Sequence, residues 1–414
     1  MPKNNSDFFK EKKIWSEVKD ELLGCYLKPY LSKVMFMRKP ILYVDCFAGK
    51  GMFDDGKKGS PLIAAECIQQ CIDGFEKSNY GAPAPPIWSC FIESTHADDL
   101  QHYLDQQSYK TFRVKRGKFE DHILEVLERV RRNHTDANVF LYVDPYGVKV
   151  LNAALFAQLP DVFVTAELLI NFNSFGFIRE GCRVLKVDFR ESETDVLADL
   201  VEYDSSKVQS IKELNDAVGG DYWQRVILDY QEGLYDCYEA EKRLSELYKE
   251  KLREKYKYVL DMPIRLKAEN HPKYRMVHAT NHPDGCWLMA DNMAKRTDHL
   301  IIDIQNQGQT TFFNRAENQY ISDEELYDLM VQLLTESPDR RRLNEVLADF
   351  FNKYGVLCEP RVLSSRQSGS VLKQLEREGK IVVQRFEKDI ETKKQFWSES
   401  KGKKIFLQWR QYCG

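Results

Sequence analysis

Short apolar runs alternate with longer amphipathic runs between residues 41 and 173, and this alternation constrains the fold more than any other feature of the sequence. The apolar runs predict five strands, "ILYVDC", "IWSCFIES", "FRVKRG", "VFLYVDP" and "ELLINFN". The runs between them predict four helices, "SPLIAAECIQQCIDGFEK", "DDLQHYLDQQ", "EDHILEVLERVRRN" and "KVLNAALFAQL". Strands that alternate with helices form parallel sheets. The sequence therefore predicts an α/β, Rossmann-like, doubly wound sheet.

The flanking sequence predicts the remaining organisation. A helix within residues 1–40 is expected to pack against the sheet. Residues 176–257 are rich in charged helical sequence and predict a helical insertion that forms a cap. Strand-like sequence returns afterwards, so the Rossmann-like domain is expected over 41–175 and 258–299. Three helical stretches followed by two strand-like runs within residues 320–414 are typical of a winged-helix domain.

Composition excludes several classes of protein. The chain has 414 residues, of which 43% are apolar and 30% charged, and we expect two or three compact units. No run approaches the roughly 18 apolar residues of a membrane span, and the amino terminus does not resemble a secretory signal. We therefore expect a cytoplasmic protein with no membrane partner. Ten cysteines without one Cys-x-x-Cys pair indicate neither a zinc ribbon nor a disulfide framework.

Charge is distributed unevenly along the chain. Residues 339–414 contain 17 Lys or Arg against 10 Asp or Glu, whereas the rest of the chain contains 43 against 54. A basic tail on an acidic body suggests that the tail makes any contact with a polyanion such as DNA or RNA.

Acidic residues end neighbouring predicted strands. The first strand ends at Asp45, with Gly49 and Gly51 behind it, the second ends at Glu93, and the fourth ends at Asp144. Ligands of an open parallel sheet bind outside the carboxyl ends of its strands. Glycines allow the backbone to approach a ligand, and a carboxylate after the second strand accepts hydrogen bonds from ribose hydroxyls. These residues predict a site for a nucleoside cofactor, with a turn glycine that binds no ligand as the alternative.

The surrounding residues favour S-adenosylmethionine over a dinucleotide. After the third predicted strand, Glu120 or Asp121 is placed to accept a hydrogen bond from an adenine amino group. The glycines do not open directly into a helix, because "MFDDGKKG" intervenes and brings Asp54 and Asp55, which would repel a pyrophosphate. The first two acidic strand ends are also 48 residues apart, well beyond the roughly 20 of the dinucleotide fingerprint.

The sequence "DPYG" after the fourth predicted strand suggests methyl transfer to an exocyclic amine. Asp144 and the Pro145 carbonyl would accept the amine hydrogens, and the Tyr146 ring would hold the base flat. In the alternative, Asp144 only caps the next helix. Asn171 and Asn173 end the fifth predicted strand, where we expect them to satisfy loop amides.

Two groups of residues raise the question of a metal site. His278 and His282 are four residues apart, but they straddle a strand end and a turn, so a structural turn is expected. Clustered carboxylates suit magnesium in a nuclease, and the relevant ones are Asp45, Asp54, Asp55 and Asp144. The glycine turn favours a cofactor site over this nuclease alternative.

Basic residues of the tail are the candidates for nucleic-acid binding. They surround a predicted helix start and a predicted wing: Arg361, Arg366, Lys373, Arg377, Lys393, Lys394, Lys403 and Lys404. Lysine and arginine side chains at such positions contact the phosphate backbone. A solvated basic face would have the same appearance.

Four segments of the chain resemble the three-Cys-motif partner proteins (TcmP) of bacteria and archaea. These are "YVDCFAGKGMFDDGKKGSPLIAAE", "FLYVDPYGVK", "LLINFN" and "HATNHPDG", in the family's order over nearly the whole chain. The resemblance implies a class I methyltransferase-like Rossmann fold and a carboxyl-terminal winged helix. It also implies a functional partner that carries the three-Cys motif.

The family's motifs are assigned to this chain residue by residue. The cofactor motif falls on Asp45, Phe47, Ala48, Gly49 and Gly51. A second motif falls on Gly59, Ser60 and Pro61, and the fourth-strand motif on Asp144, Pro145 and Gly147. Where the family commonly has Gly-Pro-Gly, this chain has Lys50 between the glycines. The expected function is S-adenosylmethionine-dependent methylation of a nucleic-acid base, with a non-catalytic nucleic-acid-binding adaptor as the alternative.

Overall fold

The computed structural model divides into two compact units, Met1–Asn281 and His282–Gly414. It describes residues 9–107, 109, 111–145, 147–148, 151–189, 210–265, 272–306, 322–355, 371–399 and 402–410. The division lies earlier than the expected boundary near residue 299.

A seven-stranded sheet forms the centre of the first unit. Its strands are β1 (Ile41–Asp45), β2 (Ile87–Glu93), β3 (Phe112–Arg116), β4 (Asn138–Val143), β5 (Thr165–Phe172), β6 (Tyr258–Arg265) and β7 (Pro272–Thr280). They lie in the order β3-β2-β1-β4-β5-β7-β6. Strands β1 to β5 are mutually parallel, and β7 runs antiparallel to both β5 and β6. The structure confirms the predicted mixed α/β, Rossmann-like sheet, including its two late strands.

Nine described helices flank this sheet. They are α1 (Ile14–Val34), α2 (Ser60–Ser78), α3 (Ala97–Asp105), α4 (Phe119–Asn133), α5 (Ala153–Val162), α6 (Ser174–Leu185), α7 (Ile211–Val218), α8 (Tyr222–Gln231) and α9 (Cys237–Arg253). Every residue of β1 and β4 is buried, as expected for central strands covered by helices on both faces. Helix α2 packs on α1, where the Cys67 and Cys71 thiols contact backbone carbonyls of α1.

The segment between β5 and β6 is helical as predicted, but the expectation of a cap is wrong. Helices α6 to α9 share one hydrophobic core with the sheet strands β1, β4 and β5. Trp223 of α8 is fully buried, and its indole N–H donates to Asn215 Oδ1 at 2.8 Å. A side chain at Gly181 would contact Trp223 and Ile227 at 3.2 Å, so α6 and α8 pack closely. These helices form a layer of the domain because their apolar faces need the sheet for burial.

The second unit combines helices with a small antiparallel sheet. Its elements are α10 (Pro283–Asn306), α11 (Asp323–Glu336), β8 (Arg341–Arg342), α12 (Leu343–Tyr354), α13 (Val371–Arg377), β9 (Ile381–Glu387), β10 (Ile390–Glu391) and β11 (Lys403–Trp409). The strand order is β10-β9-β11-β8. Helix α10 packs on α12, where Cys286 Sγ lies 3.7 Å from the Ala348 carbonyl oxygen. This packing explains why α10 belongs to the second unit, although the sequence predicted it in the Rossmann-like domain.

None of the helices in the described part of the chain combines the length and the apolar character that a membrane span requires.

A buried network of charges joins α9 to the last two strands. Arg275 of β7 donates to both carboxylate oxygens of Glu241, at 2.6 and 2.9 Å, and to Asp261 at 2.6 Å. Lys249 of α9 also donates to Asp261, at 2.6 Å. Burial acts to raise the pKa of Asp261, but Lys249 and Arg275 outweigh it and lower the pKa to about 2. Lys249 also pairs with Glu246 at 2.9 Å, so two cations face three carboxylates in this network.

Replacing the shared cation of this network should destabilise the first unit strongly. Arg275→Met leaves Glu241 without its cation in a buried position, which costs about 3–5 kcal/mol. The free energy of unfolding in urea measures this loss. The matched control is Lys255→Met, because Lys255 forms an exposed pair with Asp161 at 2.7 Å and should change stability by about 0–1 kcal/mol. Similar small losses in both variants would contradict the assigned importance of the network.

Candidate functional site

The carboxyl ends of three adjacent strands bring the predicted acidic residues to one edge of the sheet. Asp45 ends β1, Glu93 ends β2 and Asp144 follows β4, and β1 lies between the other two strands. Glu93 Oε2 accepts a hydrogen bond from the Gly49 N–H at 2.8 Å. The charge of Asp144 contributes to the raised pKa of Asp45. We call this edge, with these three carboxylates and the turn at residues 46–51, the rim.

The turn of the rim contains two glycines, Gly49 and Gly51, in backbone conformations that favour glycine. Both adopt left-handed backbone angles, with φ of 69° at Gly49 and 90° at Gly51. A Cβ on Gly51 would lie 2.9 Å from the flexible end of the Leu100 side chain in α3. A Cβ on Gly49 would contact the ring of Phe9 at 3.6 Å. The left-handed backbone therefore favours glycine at both positions, and the ring of Phe9 lies beside Gly49.

The loop between the glycines and α2 is closed by its own hydrogen bonds. The Gly59 N–H donates to the Gly51 carbonyl at 2.7 Å, and the Phe53 N–H donates to the Lys57 carbonyl at 2.9 Å. Lys50 pairs with Asp54 at 2.7 Å, which raises the pKa of Lys50. Helix α2 begins only after this loop, so the turn glycines do not open directly into a helix, as the sequence predicted.

Glu93 is engaged by three backbone N–H groups. Besides Gly49, it accepts from Thr95 at 2.7 Å and from His96 at 3.0 Å, both through Oε1. A carboxylate offers about four acceptor positions. One position therefore remains for a further donor, and Glu93 is only half-buried. Its carboxylate also holds the turn after β1 and the start of α3 in fixed relation.

Asp45 faces the turn itself and has no exposed surface. Its carboxyl group accepts hydrogen bonds from Ser60 Oγ at 2.7 Å and from the Phe47 N–H at 3.2 Å. Burial, reinforced by the charges of Asp144 and Asp20, raises the pKa of Asp45 to about 8 against the opposing effect of these hydrogen bonds. In this arrangement Asp45 holds the turn and the start of α2.

Asp144 is held by a lysine that sequence reasoning missed. The Lys19 ammonium group of α1 donates to both carboxylate oxygens, at 2.8 and 2.7 Å, and Asn171 Nδ2 donates at 2.7 Å. Lys19 is 10% exposed and Asp144 21% exposed. Asn152 caps α5, so the alternative in which Asp144 caps the next helix is wrong. Asp144 is instead a half-buried acceptor at the rim.

A second pair of charges attaches the amino-terminal segment to the rim. Lys12 Nζ lies 2.6 Å from Asp20 and also donates to the Lys58 carbonyl at 2.6 Å. Burial raises the pKa of Asp20 to about 6, although Lys12 acts to lower it. The sequence contains a signal for this cluster, since Lys19 and Asp20 stand beside the buried Leu22 and Leu23 of α1. A charged pair adjoining a buried helix face indicates a polar site beneath that helix.

Aromatic residues lie against the glycine turn. Phe9 is buried, and its ring centroid lies 5.6 Å from that of Phe53 and 4.9 Å from that of His96. The Phe9 carbonyl accepts a hydrogen bond from the Asp54 N–H at 2.8 Å. The segment before α1 therefore packs against the glycine turn of the rim through the ring of Phe9.

The remaining predicted cofactor and amine contacts lie in α4, after β4 and in the turn after β1. Glu120 and Asp121 are exposed in the first turn of α4, and Pro145 is buried after β4. Ala48 is buried and Phe47 packs on Phe119 with ring centroids 5.3 Å apart. Tyr146 lies outside the described residues.

The two asparagines after β5 have different roles. Asn173 accepts from the Gly176 N–H at 2.8 Å and caps α6, which confirms the loop interpretation for this residue. Asn171 is buried and contacts Asp144, so for this residue the loop interpretation is wrong. Residues two apart in a strand face the same side of the sheet. Because β5 ends at Phe172, Asn173 lies beyond the strand and does not share the face of Asn171.

The two predicted turn histidines have separate structural contacts. His278 is buried within β7, where its Nε2 lies 3.2 Å from Glu167. His282 Nδ1 accepts from the Asp284 N–H at 3.2 Å at the start of α10. Across the residues that the structure describes, no three His, Cys, Asp or Glu side chains are placed to hold a metal ion.

The basic candidates of the tail are distributed over α13 and the strands of the second unit. Lys373 and Arg377 lie in α13. Arg361 and Arg366 are outside the described residues. Lysines of the predicted wing have local partners, since Lys394 pairs with Glu387 at 2.8 Å, Lys404 pairs with Asp389 at 2.6 Å, and Lys403 lies over the ring of Phe396. Lys393 is exposed next to this strand hairpin.

No protein family matches the chain, and no curated protein sequence matches it.

The raised pKa of Asp45 predicts a specific dependence of stability on pH. The folded protein keeps the carboxyl proton up to a pKa of about 8, while the unfolded chain releases it near 3.8. Stability from this group is therefore complete below pH 4 and is lost as the pH rises towards 8. Asp45→Asn supplies a neutral side chain with the same shape, so its stability should decline less between pH 6 and pH 9.

Urea unfolding at pH 6 and pH 9 measures this difference. We expect the wild type to lose on the order of 2 kcal/mol more than Asp45→Asn over that interval. Asp121→Asn is the matched control, because Asp121 is exposed and should leave the wild-type pH dependence unchanged. Equal pH dependence in the wild type and Asp45→Asn would contradict the assignment.

Proposed function

We propose that the chain is an S-adenosylmethionine-dependent methyltransferase that acts on a nucleic-acid base, of the TcmP type, together with a three-Cys-motif partner protein. The observation that carries this proposal is the rim: three acidic strand ends surround a glycine turn in a sheet of order β3-β2-β1-β4-β5-β7-β6. This order, with β7 antiparallel to its neighbours, is compatible with the class I methyltransferase-like Rossmann fold that the TcmP resemblance implies. A fold alone does not define a reaction, so the residues of the rim carry the argument.

The proposed cofactor contacts fit the free acceptor capacity of the rim. Glu93 has one acceptor position beyond its three backbone donors, which suits a ribose hydroxyl. The carboxylates near the turn suit the positive sulfonium of S-adenosylmethionine better than a phosphate. Asp45 would act indirectly by holding the turn. S-adenosylmethionine would supply the methyl group, and the exposed Glu120 or Asp121 would accept from the adenine amino group.

The proposed amine site is formed by Asp144, the Pro145 carbonyl and Tyr146. The Lys19 ammonium group donates to both oxygens of Asp144, so this carboxylate accepts N–H groups of the kind that a target amine would offer. Asn171 fixes the orientation of the carboxylate at 2.7 Å. A target amine would compete with Lys19 for these acceptors.

A winged-helix character of the second unit is part of the same proposal. The order α11, β8, α12, α13 and the β9–β11 hairpin is the order of helices and strands in a winged helix. Lys373 and Arg377 in α13 and Lys393 beside the hairpin would contact the phosphate backbone. Arg361, Arg366 and Lys394 are assigned to the same interface from the sequence.

Calorimetry with S-adenosylmethionine tests the cofactor assignment. We expect binding by the full chain, alone or with added DNA or RNA. No heat of binding under either condition would remove the cofactor from the proposal.

Substitution of Asp144 tests the role of the amine site. Asp144→Asn keeps an acceptor for Lys19 and Asn171, so cofactor affinity should stay within about twofold, while methyl transfer to nucleic acid should fall about 100-fold or more. Transfer of a labelled methyl group to total DNA and RNA provides the measurement. Asp136→Asn is the control, since Asp136 forms an exposed pair with Lys39. Equal losses of binding and transfer would reassign Asp144 to cofactor binding or folding.

A non-catalytic adaptor is the second candidate function. The specific observation in its favour is that Lys19 already engages both oxygens of Asp144. Mass spectrometry of ligands released from the purified protein separates the candidates, because a retained sulfonium cofactor supports the methyltransferase and is unexpected for an adaptor.

A further inference from the structure

A groove lies between helix α4 and the edge of the sheet formed by β2 and β3. Its volume is about 610 Å³, within the range of small-molecule sites in proteins. Leu42, Val126 and Val130 form apolar parts of its lining. Trp88 lies near the amino-terminal end of β2, and Thr111 directly precedes β3. The rim is at the opposite, carboxyl ends of these strands. The groove is therefore separate from the proposed methyltransferase site.

Cationic side chains converge on this groove from two elements. Arg113 and Lys115 of β3 pair in register with Cys90 and Ile92 of β2, which face α4 from the sheet. Arg129 of α4 lines the groove on the helix side. Strand and helix therefore each contribute an arginine to the same cavity.

The two arginines form no hydrogen bond or ion pair among the described residues, although the charge of Arg113 helps to lower the pKa of Glu125 after the direct contact of Glu125 with Lys115. Lys115 is paired with Glu125 at 2.9 Å, and this pair also lines the groove. With Glu125 as the single acidic residue of the lining, the groove holds a surplus of two positive charges. Two guanidinium groups in one cavity are suited to a phosphate or carboxylate, which each can bind through paired N–H donors.

One wall of the groove is aromatic. The Trp88 and His134 rings lie 4.8 Å apart at an interplanar angle of 40°, and both side chains are half-buried. Exposed aromatic surface beside an apolar floor favours a planar ring in the ligand. A phosphate between Arg113 and Arg129 and a ring against Trp88 together describe a nucleotide.

We propose that this groove binds a nucleoside monophosphate, either free or as the 5′-phosphorylated end of a nucleic-acid strand. The phosphate lies between Arg113 and Arg129, and the base lies on the apolar and aromatic wall at Trp88. The proposal is independent of methyl transfer, because it uses no residue of the rim.

Titration of the full chain with AMP tests the site. We expect calorimetric binding of AMP and weaker binding of adenosine and of ribose 5-phosphate, since each lacks one recognised part. AMP should also change tryptophan fluorescence, and Trp88→Phe should remove this change. No binding of AMP or of a 5′-phosphorylated strand, or a fluorescence change that persists in Trp88→Phe, would overturn the proposal.

Arginine variants connect binding to the groove. Arg113→Ala and Arg129→Ala should each weaken AMP binding about tenfold. Both residues are exposed, so folding should be kept, and circular dichroism checks it. Arg131→Ala is the matched control, because Arg131 is an exposed arginine of α4 that does not line the groove, and binding should stay within about twofold. Equal effects of all three substitutions, or none, would contradict the site.

A comparison of oligonucleotides identifies the source of the nucleotide. A short strand with a 5′-phosphate that binds more tightly than AMP, and loses this advantage in Arg129→Ala, indicates a strand end. Tighter binding of AMP indicates a free nucleotide. In both cases the same phosphate-and-ring chemistry is recognised.

Discussion

Two lysines, Lys12 before α1 and Lys19 within it, pair with the carboxylates of Asp20 and Asp144, and the arrangement of the rim depends on these pairs. Asp20, Asp45 and Asp144 influence one another electrostatically in largely buried surroundings. Buried carboxylates are costly unless they are protonated or paired with cations. Lys12 pairs with Asp20 and Lys19 with Asp144, while the raised pKa keeps Asp45 protonated. The segment that leads into α1 and α1 itself are thus structural parts of the candidate site.

The first unit separates opposite charges between two regions of one sheet. Carboxylates gather at the carboxyl ends of β1, β2 and β4, and cations gather on β3 and α4 along the groove. We propose a cationic cofactor at the first region and an anionic ligand at the second. A parallel sheet provides both, because its carboxyl ends and its helix-covered face are formed by different residues of the same strands.

Local patterns predicted most of the elements. The strands β1 to β5 and the helices between them follow from apolar runs and helical spacing, which each depend on neighbouring residues. The sequence predictions were wrong where the place of a helix depends on which element it packs against. The helices α6 to α9 form a layer of the core because their buried residues meet the sheet, and α10 joins the second unit because it packs on α12. Their sequences predict amphipathic helices whether these helices form a cap or a core layer, and whichever unit they belong to.

At the level of residues, the sequence by itself determined which chemical groups stand at the strand ends, since a parallel sheet brings Asp45, Glu93 and Asp144 to one edge. Only the tertiary structure decided what each group contacts. Glu93 binds backbone N–H groups, and Asp144 binds Lys19, 125 positions earlier in the chain. Such pairings arise from how α1 packs on the sheet, and no periodicity in the sequence specifies contacts over that separation.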